Sequence, residues 1–218
     1  MAKSPIKALL IDIESLVRHE RFKAMERLAE FSNNSAAHIA EVIYREKNSL
    51  ADRFEKGELS PQDFYFRVRD AAGLNRDITF EMFCHIWSTA YTDYLPIAAL
   101  LSQVKDDIRQ KMILCTNIDP ISWNFIKEFS VFKMHFPEEN IVRSYEVGSL
   151  KPNRRIYIEA LRRAGLGEKE MFKSLSIEGN ASFQISYIAK GGRSELFNCA
   201  WALPHELGNV LYRLGLLK

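Results

Sequence analysis

Apolar and polar positions fall into two textures along this chain. Near the N-terminus the run Ala8-Leu9-Leu10-Ile11 is short and continuously apolar, as in a strand buried on both faces. It predicts a first strand over Ile6–Ile11, closed by Asp12. From about Ser15 to Tyr94 apolar residues recur at three- and four-residue intervals, which predicts successive amphipathic helices and no strand. Helices are expected to begin near Arg21, near Ser35, at Ser60-Pro61 and near Thr79. Ser60-Pro61-Gln62-Asp63 combines an N-cap hydroxyl, a first-turn proline and a first-turn acid. Phe80, Phe83, Trp87 and Tyr91 share helical spacing, the mark of an inner face, with one or two left able to face a ligand.

The texture changes at Leu95-Pro96. Helices are predicted over Ile97–Val104, Ile121–Phe129, Asn153–Ala164, Ala181–Lys190 and Pro204–Leu214. Strands are predicted between them over Lys111–Cys115, Ile141–Tyr145, Met171–Ile177 and Glu195–Trp201. Such alternation predicts a parallel sheet covered by helices on both faces. The first strand belongs with this second texture. The fold expected is therefore a three-layer, Rossmann-like α/β core, residues 1–14 and 95–218, interrupted after its first strand by a helical insert over residues 15–94. Its closeness to Asp12 makes the insert a cap, hinged near Ser15–Val17 and Asp93–Pro96.

Composition removes several alternatives. The chain has 218 residues, enough for one such domain with a sizeable core. Its formal charge is +2 with both signs interspersed, which argues against nucleic acid or a membrane as partner. Arg154, Arg155, Arg162 and Arg163 share one predicted helix and read as a solvated face. Cys84, Cys115 and Cys199 are odd in number and scattered, as expected of reduced thiols in a cytoplasmic protein. The 5 histidines form no zinc-binding spacing. The start, Met1 to Lys7, leads into a run too short for a signal segment or membrane span. There is no internal repeat, and oligomeric state is not written in the sequence.

Candidate chemistry gathers where predicted strands end. Parallel sheets bind ligands beyond the carboxyl ends of their strands, and a carboxylate there can act as nucleophile or metal ligand. Asp12 holds that position, although an acid there can equally cap the following turn. Thr116-Asn117 follows a second apolar run, Lys151-Pro152 opens a predicted helix, and Glu178-Gly179-Asn180 follows a third run. Arg18 and His19 leave the Asp12 segment toward the cap, with a ligand contact or a surface role both open.

These pieces, in this order, resemble the haloacid dehalogenase superfamily, whose members are mostly phosphatases. The stretches Phe54–Ser60 and Tyr145–Tyr157 look most like a branch holding bacterial glucose-1-phosphate phosphatases and the N-terminal phosphatase domain of soluble epoxide hydrolases. The resemblance places Asp12 on the aspartyl nucleophile. It places Glu14 on the acid that protonates the leaving oxygen and whose backbone carbonyl ligates magnesium. It puts Thr116 and the adjacent Asn117 on phosphoryl binding, Lys151 on the lysine that offsets charge between nucleophile and phosphate, and Glu178 on the first metal-binding acid of the last motif. Two adjacent acids are usual there, and the chain has Glu178-Gly179. Phe183 stands where asparagine or aspartate is frequent. Magnesium is thus expected as a weakly bound cofactor, held by Asp12, Glu14 and Glu178.

The activity this implies is magnesium-dependent hydrolysis of a small phosphate monoester through an aspartyl-phosphate on Asp12. A catalytically weak or silent relative that binds a phosphorylated ligand or a protein partner is the alternative, favoured by Glu178-Gly179. Dehalogenation of a 2-haloacid uses the same nucleophile and ranks third.

Overall fold

The computed structural model describes residues 5–45 and 47–218, so the first four residues of the expected core segment, and part of the N-terminal stretch read for targeting, lie outside it. Strand β1 (Ala8–Ile11) leads into a single 3-10 turn, then β2 (Arg18–His19). Five helices follow: α1 (Arg21–Ala29), α2 (Ala36–Tyr44), α3 (Leu50–Glu55), α4 (Pro61–Ala71) and α5 (Phe80–Ser88). Next come β3 (Tyr91–Thr92), α6 (Leu95–Leu101), α7 (Asp106–Arg109), β4 (Met112–Thr116), α8 (Pro120–Ile126) and α9 (Ser130–His135). The chain continues through β5 (Ile141–Arg143), α10 (Ser144–Val147), α11 (Arg154–Arg163), β6 (Ser174–Glu178), α12 (Ala181–Ala189), β7 (Arg193–Leu196) and α13 (Pro204–Arg213).

Five strands form one sheet in the order β5-β4-β1-β6-β7, and every neighbouring pair is parallel. The fold is the parallel α/β core the sequence predicts. The apolar run of β1 explains its central place: Leu9 and Ile11 enter one hydrophobic cluster and Ala8 and Leu10 another, on opposite faces. A strand covered on both sides has no use for a polar alternation. Register fixes the site. Ile11 lies beside Leu114 of β4 and Ile177 of β6, so Asp12, Thr116 and Glu178 emerge together at the carboxyl edge.

Within the helical block the N-caps behave as the sequence predicts. Ser35, Ser60 and Thr79 each accept a hydrogen bond from the amide three residues on, at 3.2, 3.1 and 3.2 Å. The apolar spacing does not predict helix α3, though Ser49 and Asp52 form a reciprocal capping box at its start. Nor does it predict β2, which pairs antiparallel with β3 through Arg18–Thr92 and His19–Tyr91. This two-residue ribbon ties the entry and exit of the block together, and strands so short carry no legible period.

Two corrections concern strand bounds. The strand expected over Glu195–Trp201 is β7 at Arg193–Leu196, a polar edge strand. Phe197 and Cys199 after it instead turn inward, Phe197 donating its N–H to the Glu178 carbonyl at 2.9 Å and Cys199 to the Glu14 carbonyl at 2.9 Å, while Trp201 stays exposed. The segment expected as strand from Met171 begins as a 3-10 turn, and β6 starts only at Ser174. The basic cluster on α11 is paired locally, Arg162 and Arg163 both with Glu159 at 2.8 and 2.9 Å. No described helix is long and apolar enough to cross a membrane.

Candidate functional site

Asp12 ends β1 and caps the 3-10 turn after it. Its Oδ1 accepts the Ile13 N–H at 2.9 Å, so the capping reading and the site reading both hold for the same carboxylate. Lys151 Nζ lies 2.7 Å from Asp12 Oδ1 and 2.7 Å from Glu178 Oε2, with all three side chains buried. One ammonium is shared by two acids. Burial pushes both the Asp12 and the Glu178 carboxyls up, and Lys151 pulls each back down. Burial disfavours the charged ammonium too, but Asp12 and Glu178 together outweigh it and raise Lys151, which keeps it protonated.

Lys151 is delivered by the loop between α10 and α11, and Asn117 aims it. The Asn117 Oδ1 accepts the Lys151 N–H at 2.7 Å and its amide donates to the Lys151 carbonyl at 3.1 Å. Its side chain is a two-point clamp on the lysine backbone, with one amide hydrogen left for the donation to phosphate that the resemblance implies. Thr116 is fully buried at the end of β4, and its hydroxyl donates to the Asn117 carbonyl at 3.2 Å.

Glu14 and Gly179 are one feature. A Cβ placed on Gly179 would overlap the Glu14 Cβ and come within 2.9 Å of Glu14 Oε2 and 3.2 Å of Asp12 Oδ2. The Glu14 side chain lies across the glycine, held by His19 Nδ1 at 3.3 Å and the Asn198 amide at 3.1 Å. The hydrogen bond from His19 holds the Glu14 carboxyl below its ordinary value, against the effect of burial. An ionised Glu14 is a poorer proton donor than the resemblance implies.

The metal reading can be tested on the donor set. Magnesium takes about six oxygens in near-octahedral order at about 2.0–2.1 Å. Here Glu178 has both oxygens engaged, Oε2 by Lys151 and Oε1 by the Ser176 hydroxyl at 2.7 Å. The Glu14 carbonyl takes the Cys199 N–H at 2.9 Å, and position 179 brings no carboxylate. Asp12 Oδ2 is the least engaged oxygen, with a 3.3 Å contact from the Gly179 N–H. In this arrangement the three expected ligands do not fit the ion. Among the described residues no three His, Cys, Asp or Glu side chains form a metal-holding group.

Above this floor lies a cavity of about 280 Å³ walled by both textures of the chain. Asp12, Glu14, Asn117 and Lys151 come from the sheet side, while Arg21, Tyr44, Glu55 and Tyr91 come from the helical block. Phe183 lines the wall with its ring 4.9 Å from Lys151 Nζ, a cation–π contact where the resemblance led to a polar residue. His19 reaches the cavity stacked on Tyr91, ring centroids 4.3 Å apart. Arg18 instead lies over Tyr94 at 4.5 Å. Phe83 and Trp87 are buried and stacked on each other with Phe64 edge-on to both, as an inner face predicts. The sequence offered no signal for Arg21, Tyr44 or Glu55, which stand on three different helices and meet only in space.

No protein-family model and no curated protein matches the chain. Solved structures do. The HAD family enzyme bt-2542 from Bacteroides thetaiotaomicron, in complex with magnesium and inorganic phosphate, superposes with a TM-score of 0.74 at 20% identity, covering 92% of this chain and 98% of that one. A HAD-like family hydrolase from Porphyromonas gingivalis gives 0.74 at 15% identity, over 95% and 98%. A HAD family hydrolase from Deinococcus radiodurans R1, with bound phosphate and sodium, gives 0.61 at 16%, over 98% of each chain. With β1 central, the five helices placed after it and the acids at the carboxyl edge, the chain has the haloacid dehalogenase fold.

Proposed function

We propose that this protein is a hydrolase of a small phosphate monoester, with Asp12 as nucleophile. The observation that carries the reading is the buried Lys151 ammonium 2.7 Å from Asp12 Oδ1, at the base of a closed-in cavity beyond the sheet's carboxyl edge. The Bacteroides and Deinococcus relatives of the fold were crystallised with phosphate, which supports the same ligand class here.

In the mechanism, Asp12 Oδ2 attacks phosphorus while Oδ1 stays bonded to Ile13 and Lys151. The bond from phosphorus to the ester oxygen breaks, the departing alkoxide takes its proton from solvent water, and an acyl phosphate remains on Asp12. Water then attacks the phosphorus, which frees phosphate and restores the carboxylate. Lys151 offsets the charge of phosphoryl oxygens in both steps, and Asn117 holds its backbone in place. Thr116 completes the phosphoryl cradle once its hydroxyl turns from the Asn117 carbonyl. Residues 15–94 act as the cap over a core of 1–14 and 95–218, since side chains of both line the cavity.

A second reading is favoured by Glu14, Gly179 and the occupied oxygens of Glu178: a relative that binds a phosphorylated ligand and turns it over little or not at all. One assay separates the two. Hydrolysis of p-nitrophenyl phosphate is measured with and without magnesium, beside Asp12→Asn. Loss on the order of a thousand-fold or more in the variant, with its circular dichroism unchanged, is expected. A variant retaining a tenth of the rate rules out Asp12 as nucleophile, and no rate in either protein favours the silent relative.

A further inference from the structure

The reaction at Asp12 uses only one wall of the cavity. The facing wall is built by the helical block, and Arg21 is its one cation among the described lining residues. Arg21 opens α1 and projects its guanidinium over the Tyr44 ring, 4.7 Å from the centroid. The ring face holds the guanidinium by cation–π attraction, which leaves its hydrogen-bond donors for other partners. Among the described residues none is hydrogen-bonded or ion-paired to it. The acids on this side do not neutralise it directly. Asp52 accepts from Ser49 at 3.2 Å in the α3 capping box, and Glu14 is held by His19 and Asn198. Glu55 is pushed up to about 8 by burial, with Arg21 opposing, so it is mostly protonated at neutral pH and carries a further donor.

The cavity thus has two cationic anion sites of different kinds: a buried point charge, Lys151, beside the nucleophile, and a planar fork, Arg21, on the cap side. Guanidinium matches a carboxylate in two parallel hydrogen bonds. A volume of about 280 Å³ sits at the low end for ligand pockets, which favours a short ligand. We propose that Arg21 binds a carboxylate of the ligand, so that the substrate class is short phosphate monoesters that also carry a carboxyl group. This rests on the phosphate reading of Lys151 and adds the second anion to it.

Non-hydrolysable probes test the inference without depending on turnover. Methylphosphonate and 3-phosphonopropionate are titrated by calorimetry into wild type, Arg21→Gln and Arg21→Lys, with folding checked by circular dichroism. In wild type the carboxylate should tighten binding about tenfold or more. Arg21→Gln should erase that gain while leaving methylphosphonate affinity within about twofold, and Arg21→Lys, which keeps charge but loses the fork, should retain part of it. No preference in wild type, or a preference that survives Arg21→Gln, overturns the proposal. Methylphosphonate binding with no carboxylate gain leaves the phosphate reading standing and removes this one alone. Failure of both probes to bind wild type removes both.

Discussion

Glu14 and Gly179 occupy one volume between them, and that pairing changes what a repair of the last motif requires. Gly179→Asp drives its Cβ into Glu14, an overpacking that should lower stability by about 1–3 kcal/mol, read as a drop of several degrees in Tm. Adding Glu14→Gly should restore it. The same logic predicts that Glu178→Asp with Gly179→Asp gains no magnesium affinity until Glu14→Gly is present as well. Calorimetric titration of the double and triple variants checks this, and tight binding by the double variant would show that Glu14 moves aside freely. Glu55 supplies a pH test. Its folded pKa is near 8 against an ordinary 4.5, so between those values the folded state holds a proton that the unfolded chain has lost. Stability relative to Glu55→Gln should therefore fall as pH rises from about 4.5 to about 8, then level off. A Tm difference between the two proteins that stays flat over that window would refute the assignment. At this scale the sequence showed which residue types end the strands. It could not show that Lys151 bridges Asp12 and Glu178, because that depends on where a loop more than 20 residues away in sequence returns.

Among the elements, α3 decides how the helical block sits. It ends at Glu55, Gly57 two residues on has a φ of +75° in the left-handed region, and any Cβ there would overlap the Tyr145 carbonyl. The Ser144 hydroxyl donates to the Glu55 carbonyl at 2.6 Å beside it. The two stretches that carried the finer resemblance, Phe54–Ser60 and Tyr145–Tyr157, are thus docked on each other. Gly57→Ala combines backbone strain with a clash and should destabilise by about 2 kcal/mol or more, measured by urea unfolding. A loss below about 0.5 kcal/mol would mean that this latch gives way easily. Helix α3 escaped the periodicity because it is only 6 residues long, too few to display a face. Its capping box was the signal available.

Among the described residues one apolar cluster runs through both the sheet and the helical block. The cluster that holds Leu9 and Ile11 of β1 also holds Ile39, Phe64, Phe83 and Trp87 of the block, and Trp87 donates to Asp119 of the sheet side at 3.0 Å. Continuous packing of this kind couples the two parts energetically. Thermal unfolding should follow a single transition with calorimetric and van't Hoff enthalpies equal within error. Two resolved transitions would show an independently stable cap.

Local patterning along the chain is enough to specify the layers. Continuous apolar runs specify strands buried on both faces, three- and four-residue spacing specifies helices, and their order leaves a parallel sheet with a helical block after its first strand. Both signals are local, so a single chain displays them. It also placed Asp12, Thr116 and Glu178 at strand ends, because the period of a strand stops where its apolar run stops. Tertiary structure alone decided the rest: that Asn117 clamps Lys151, that Glu14 fills the space over Gly179, and that Arg21, Tyr44 and Glu55 share one wall. Those relations are set by register and helix packing between residues distant in sequence, and no local pattern records them.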